Sequence, residues 1–207
     1  MRGLYAGNTD NVLHAKYSES HFSKYTSFKH RINYIINLIN SFSNYNFKTK
    51  LILSIGPRFE SELYGYRGLG FKSKNIFAID TFTYSPKILP GNMHNIDFGD
   101  NFFDIVVCGW TIAYSNNPEI ALREMHRILK PNGKIILTWD LPNSYKITDS
   151  INCLLTLRNN IDDLQTVFSE IDMANLANKL FKIYRVELGK LNFNGNTPFA
   201  TLILEKS

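Results

Sequence analysis

The stretch Gly91–Asp140, "GNMHNIDFGDNFFDIVVCGWTIAYSNNPEIALREMHRILKPNGKIILTWD", decides how this chain folds. Phe103 to Cys108 is apolar apart from Asp104 at its mouth, which reads as a buried strand. Asn116, Asn117 and Pro118 open a helix, with Pro118 suited to the first turn. Ala121, Leu122, Met125, Ile128 and Leu129 recur at three- and four-residue steps along one face of it. "KPNG" (Lys130 to Gly133) ends that helix, because proline cannot continue it and glycine tolerates the reversal. Lys134 to Thr138 is a second buried strand. Strand, helix and strand at this length make one right-handed parallel crossover.

Two motifs in this stretch are specific: "D-x-x-F-D" at Asp100 to Asp104 and "R-I-L-K-P-N-G-K" at Arg127 to Lys134. Through them the chain resembles class I S-adenosylmethionine-dependent methyltransferases of the small Rossmann-like, type 11 kind, from about Leu51 to Thr138. Neither motif is catalytic in that family, so they speak for a fold and a cofactor more than for a reaction. The resemblance implies an α/β, Rossmann-like, doubly wound sheet. It would be mostly parallel and seven-stranded, with a C-terminal antiparallel hairpin and helices on both faces. One methyltransferase-like domain would span 1–207, with 1–48 a helical extension able to act as a lid and 49–207 the core.

A chain of 207 residues suits one domain with a full core. Hydrophobic residues at 44% and charged residues at 20% are ordinary for a globular protein. No apolar run is long enough to cross a bilayer, and the N-terminus lacks signal-peptide character, so the expected location is cytoplasmic. The net charge of +5 is dispersed, and "KTK" at Lys48 to Lys50 and "KSK" at Lys72 to Lys74 read as solvated turns rather than a nucleic-acid stripe. Cys108 and Cys153 imply neither a disulfide framework nor a metal site, and Cys108 reads as a small core residue.

Residues 1 to 26 show no clear period and read as a loop or a short helix. From Ser27 a helix is indicated, with Phe28, Ile32, Ile35, Ile39 and Phe42 along one face, ending near Asn44. Leu51 to Ile55 is the first sheet strand, and Gly56 follows at once. In the family the turn here is glycine-rich, with an acidic residue two before its first glycine. The backbone can then approach the methionine end of the cofactor. This chain keeps only Gly56. Ser54 stands at the acidic position, and Arg58 and Glu60 stand where glycines are usual. Arg58 could pair with the cofactor's carboxylate, and Glu60 or Glu62 with its ammonium. Against this, acidic residues also favour the first turn of any helix, and the helix after Pro57 is expected to reach Tyr66.

Asn75 to Asp80 is the second strand. Asp80 follows Gly56 by about 24 residues, near the ~20 expected for the carboxylate that holds ribose hydroxyls. By the same resemblance, Asn92 would accept from the adenine amino group and Met93 would cover the ring. His94 reads as a polar residue near the ligand. Trp110 and Tyr114 follow the fourth strand, and Trp139, Asp140 and Tyr145 follow the fifth. All sit beyond carboxyl strand ends, where open parallel sheets bind ligands. Trp110 is placed with the cofactor, Tyr114, Trp139 and Tyr145 with the acceptor, and Asp140 as the group that orients or deprotonates the acceptor. His126 reads as surface or packing.

Toward the C-terminus a helix is expected over Asp163 to Phe181. Strands follow at Ile183 to Leu188 and Ala200 to Glu205, about an Asn194-Gly195 turn. The function implied is methyl transfer from S-adenosyl-L-methionine to an oxygen or nitrogen of a small-molecule or sugar-like acceptor, with no nucleic-acid or membrane partner and no metal. The alternative is a non-catalytic protein of the same fold serving as a ligand-binding or partner subunit. A dinucleotide-dependent dehydrogenase is disfavoured, because the first turn lacks those glycines too. The sequence leaves the acceptor and the oligomeric state open.

Overall fold

A strand that is apolar on both faces needs a layer on each side of the sheet. The computed structural model, which describes residues 4–5, 25–42, 45–57, 59–83, 85–140, 181–192 and 196–207, has that arrangement. The strands are β1 (Leu4–Tyr5), β2 (Ile52–Ile55), β3 (Ile76–Asp80), β4 (Phe82–Thr83), β5 (Leu89–Pro90), β6 (Phe103–Gly109), β7 (Leu129–Asp140), β8 (Phe181–Asn192) and β9 (Asn196–Lys206). The α-helices are α1 (Tyr25–Asn40), α2 (Ser61–Gly68) and α3 (Pro118–Ile128).

Seven strands form one sheet in the order β5-β3-β2-β6-β7-β9-β8. β5, β3, β2, β6 and β7 pair in parallel, and β9 runs antiparallel to both β7 and β8. The expected mostly parallel sheet with a closing hairpin is therefore found. Alternation along each strand sorts its side chains between two cores. Leu53, Val106, Cys108, Ile135 and Leu137 face α3, where Ala121, Leu122, Met125 and Ile128 are buried. Ile52, Ile105, Val107 and Ile136 face the other way, against Ile35, Leu38, Ile39 and Phe42 of the α1 segment and Tyr66 of α2.

The chain runs outward from β2 through β3 to β5, then returns to the far side of β2 at β6. That reversal is a topological switch point, and the crevice it opens lies beyond the carboxyl ends of β2 and β6.

Several boundaries differ from the sequence reading. α1 begins at Tyr25 and ends at Asn40, and α2 begins at Ser61, after a longer turn. "KPNG" does not separate helix from strand. β7 already pairs at Leu129 with Phe103, and the register shifts before Ile105 meets Lys134, so the four residues form an irregularity inside the strand. The left-handed residue there is Asn132 (φ 60°). Gly133 is required for space, because a Cβ would stand 2.8 Å from both Leu129 Cγ and the Lys130 carbonyl oxygen. The hairpin strands are longer than read, because Phe181–Asn192 and Asn196–Lys206 pair along their length. β1 and β4 add a small antiparallel pair that the polar N-terminus did not signal. The helix read over Asp163 to Phe181 lies outside the described residues except for Phe181, which opens β8. Cys153 also lies outside them.

Candidate functional site

The turn after β2 forms the floor of the crevice. Gly56 takes φ +71°, a left-handed conformation that costs an L residue about 1–2 kcal/mol. Its N–H donates to the Ile79 carbonyl at 2.8 Å, tying the tips of β2 and β3. A Cβ on Gly56 would stand 2.4 Å from Thr111 Cγ2 and Oγ1, so the loops after β2 and β6 nearly touch there. Arg58 lies outside the described residues. Glu60 turns away from the crevice toward the loop before β5. Its carboxylate accepts from Lys87, Ser85 and Tyr64, which together pull it down to about 2.

Glu62 turns inward instead. Its side chain is buried between α2 and β2, and one carboxyl oxygen accepts from both the Ser54 and the Tyr66 hydroxyls. Burial raises it above the usual carboxylate range, and the charge of Asp80 adds to that, against the two hydroxyl donors.

At the tip of β3, Asp80 is partly exposed. Its carboxylate accepts from the Phe82 N–H at 3.3 Å, and its backbone carbonyl accepts from the Gly91 N–H at 2.9 Å. The turn that follows β5 is held by Asn92, whose amide oxygen accepts from the His94 N–H (2.9 Å) and lies 2.7 Å from His94 Nδ1. Met93 is buried among core residues that include Ile55 and Ile79. His94 Nε2 lies 2.6 Å from Ser115 Oγ, which bridges the loops after β5 and β6. Burial pulls the imidazole below its usual value, so it is neutral at pH 7. A carbonyl oxygen can only accept, so Nδ1 carries the proton and Nε2 accepts from Ser115.

Beyond β6 and β7 a second network forms. Trp110 takes φ +58°, uncommon for so bulky a residue, and its N–H donates to the Thr138 carbonyl at 2.8 Å. Its indole N–H donates to Asp140 Oδ1 at 2.6 Å, while Arg31 of α1 donates to Asp140 Oδ2 at 2.8 Å. The Arg31 guanidinium also lies 4.8 Å from the centre of the Trp110 ring. Both oxygens of Asp140 are therefore engaged. Tyr34 packs edge-on to Trp110, donates to Glu187 (2.8 Å) and accepts from the Thr201 hydroxyl (2.9 Å), tying α1 to the hairpin.

Gly56, Asp80, Asn92, Met93, Trp110 and Asp140 thus gather along the carboxyl rim. Glu60 stands off at its edge. Trp139 is buried on the α3 side of the sheet while Trp110 is buried on the α1 side, so the two tryptophans do not share a pocket wall. Tyr114 is exposed on the short helical turn Ile112–Tyr114, and Tyr145 lies outside the described residues. Cys108 is fully buried and its thiol is pushed up by burial, in keeping with a core role. His126 packs edge-on against Phe181 with ring centres 5.0 Å apart. Nothing in the sequence singles out Thr111, Arg31 or Ser115, since each acts through a neighbour on another loop or element.

Residues 71–137 match a family model described as a methyltransferase domain. That segment runs from the loop after α2 into β7, and leaves the turn around Gly56 and the tip of β7 outside it. An uncharacterized methyltransferase of Schizosaccharomyces pombe is 33% identical over 85 residues, 36% of this chain and 34% of that protein. A demethylmenaquinone methyltransferase of a Geobacillus species is 34% identical over 89 residues, 40% of this chain and 36% of that protein. The chain thus spans about a third of the length of these curated relatives. Among solved structures, a SAM-dependent methyltransferase from Thermotoga maritima superposes with a TM-score of 0.55 at 15% identity, covering 93% of this chain and 98% of that one. The PH0226 protein of Pyrococcus horikoshii gives 0.57 at 16% identity, covering 87% and 91%. The chain has the class I methyltransferase fold, and across its central third it matches the methyltransferase domain family.

Proposed function

We propose that the protein transfers a methyl group from S-adenosyl-L-methionine to an oxygen or nitrogen atom of a small-molecule or sugar-like acceptor. The observation that carries this reading is the position of Asp80. It is partly exposed at the carboxyl end of the strand beside the switch point, inside the segment that matches the methyltransferase domain. A carboxylate there can accept from two ribose hydroxyls at once. Gly56 suits the close approach of a ligand to backbone, because a side chain at its φ of +71° is strained. Met93 and Trp110 would bound the adenosyl group. Asn92 has already committed its amide oxygen to His94, so it acts chiefly by shaping the turn that carries Met93.

The cofactor supplies a methyl group on a sulfonium. Held at this rim, it would offer that carbon to an acceptor oxygen or nitrogen and leave as a neutral thioether, with the acceptor's proton passing to solvent. Such a displacement depends mainly on alignment. Among the described residues no group of histidine, cysteine and carboxylate side chains is arranged to hold a metal. Asp140 fits a positioning role, because its ion pair with Arg31 and its bond to Trp110 fix the wall of the pocket. Of the two acceptor-side candidates described, Tyr114 is exposed and Trp139 is buried, so Tyr114 is the one accessible to an acceptor. No helix among the described residues is long and apolar enough to cross a membrane.

The near contact of Gly56 and Thr111 favours one competing reading, a protein of this fold that no longer binds the cofactor. Calorimetric titration with S-adenosylmethionine and with its demethylated product separates the two. The methyltransferase reading expects saturable heats with both. No heat at millimolar ligand with folded protein would leave the non-catalytic reading standing.

A further inference from the structure

Glu62, which the sequence offers beside Glu60 as a partner for the cofactor's ammonium, is a buried carboxyl with no part in the proposed transfer so far. It sits at the second position of α2, 7% exposed, and the hydroxyls of Ser54 and Tyr66 both donate to the same oxygen. Among the described residues no lysine, arginine or histidine pairs with it. A buried carboxyl without a cationic partner is costly, and such groups concentrate where a ligand completes them. Its location is informative. Ser54 occupies the strand position, two before Gly56, where the resembling family carries an acid. Because Glu62 is hydrogen-bonded to Ser54 Oγ, its oxygen lies about where a longer acidic side chain at 54 would place its own.

Resting on the methyltransferase reading, we infer that Glu62 supplies, from the first turn of α2, the carboxyl that faces the cationic end of the cofactor. The acid has moved from strand to helix, and a serine left on the strand holds it in place. Glu60, two residues earlier, is engaged elsewhere by Lys87 and Ser85. Among the described residues, the groups facing Glu62 are Ser54 from β2, Tyr66 from α2, Asp80 from β3 and Cys108 from β6. None of them brings a positive charge. Burial keeps Glu62 protonated above the usual carboxylate range, and an arriving cation favours the ionised form. Cofactor binding therefore releases a proton, and affinity rises with pH until Glu62 ionises in the free protein.

The test is calorimetric titration of S-adenosylmethionine in two buffers of different ionisation enthalpy at one pH. It uses the full chain as wild type, as Glu62→Gln, and as Ser54→Asp combined with Glu62→Gln. Melting curves check that each is folded. Wild type should bind with proton release. Glu62→Gln should bind about ten- to a hundredfold more weakly, as for loss of one charge-assisted bond, with no release. The double variant should recover most of the affinity by returning the acid to the strand. Unchanged affinity in folded Glu62→Gln, or failure of the double variant to recover, would overturn the assignment and leave the methyltransferase reading intact. If wild type itself does not bind, both fall together.

Discussion

At the amino rim of the sheet Asp104 lies between two lysines, accepting from Lys50 (2.9 Å), Lys130 (2.8 Å) and the Leu51 N–H (2.9 Å). At the carboxyl rim Glu62 lies equally deep with hydroxyls for company. The contrast extends along both rims. Below, Arg127 ties Glu124, Asp100 and the carbonyls of Ile96 and Phe98 into one knot, and Lys206 caps the end of α3 at the His126 and Leu129 carbonyls. Left-handed residues occur on both rims, at Asn101 and Asn132 below and at Gly56 and the bulky Trp110 above, but only above does a buried carboxyl, Glu62, have no cationic partner among the described residues. One rim is finished by the chain itself. The other has one bulky side chain, Trp110, in a left-handed conformation and an unbalanced carboxyl, as expected of a place that a ligand completes.

This contrast makes the amino rim the place where a substitution costs most stability and least binding. Asp104→Ala should destabilise the fold by about 2–3 kcal/mol, less than for a fully buried pair because Lys50 and Lys130 can each turn to water. In this size range that lowers the melting temperature by roughly 4–12 °C. Cofactor affinity should be unchanged. Burial works against the charge on Asp104, but Lys130, the Leu51 N–H and Lys50 outweigh it and lower its pKa. Its contribution is therefore present above the ordinary aspartate value near 3.9 and lost as pH falls through the lowered one. Acid melting curves of the variant should lack that loss. An equal acid sensitivity in both proteins would mean that the lysines do not hold the folded carboxylate.

Asp80→Ala probes the other rim. It should weaken S-adenosylmethionine binding by about 1–3 kcal/mol, the range for a lost hydrogen-bonded carboxylate, and move the melting temperature by only a few degrees. A large melting shift with intact binding would make Asp80 a turn former and remove the difference between the rims at that point. His94 gives a smaller effect of about 1 kcal/mol. Since burial lowers its pKa, the unfolded chain binds the proton more readily, and stability from this group falls as pH drops below its ordinary value near 6.5. His94→Gln should flatten melting between pH 7 and 5, and an unchanged slope would show that the ring is not desolvated.

The sequence spoke clearly about the amino rim and poorly about the other. Asp100, Asp104, Arg127 and Lys130 all fall within the two motifs that flank one strand–helix–strand crossover, so the sequence records them although their partners are not adjacent in the chain. The face of α3 was equally legible, because a 3.6-residue period marks burial directly. The carboxyl rim is assembled from loops that no motif covers, and its pairs join different loops or elements: Arg31 with Asp140, His94 with Ser115, Gly56 with Thr111. Spacing cannot distinguish Glu60 from Glu62 either. Both suit a first helical turn, and only the helix phase sends one outward to Lys87 and the other inward to Ser54.

Asp140 offers the smallest and most discriminating change. Read along the chain it stands free after a strand, as a proton acceptor would. In the fold its oxygens are divided between Trp110 Nε1 and Arg31, and the side chain is 41% exposed. Asp140→Asn keeps an oxygen for the indole and removes only the charge opposite Arg31. For an ion pair this exposed the loss should be about 0.5–1 kcal/mol, a melting shift of no more than roughly 4 °C. The environment of Trp110 should stay the same by tryptophan fluorescence, because the bond that orients the ring survives. Asp140→Ala removes that bond as well, and should change the fluorescence where Asn does not. If both variants leave the spectrum alone, Asp140 does not position Trp110. The carboxyl rim would then owe its shape to the backbone at Thr138, which holds the Trp110 N–H whatever stands at 140.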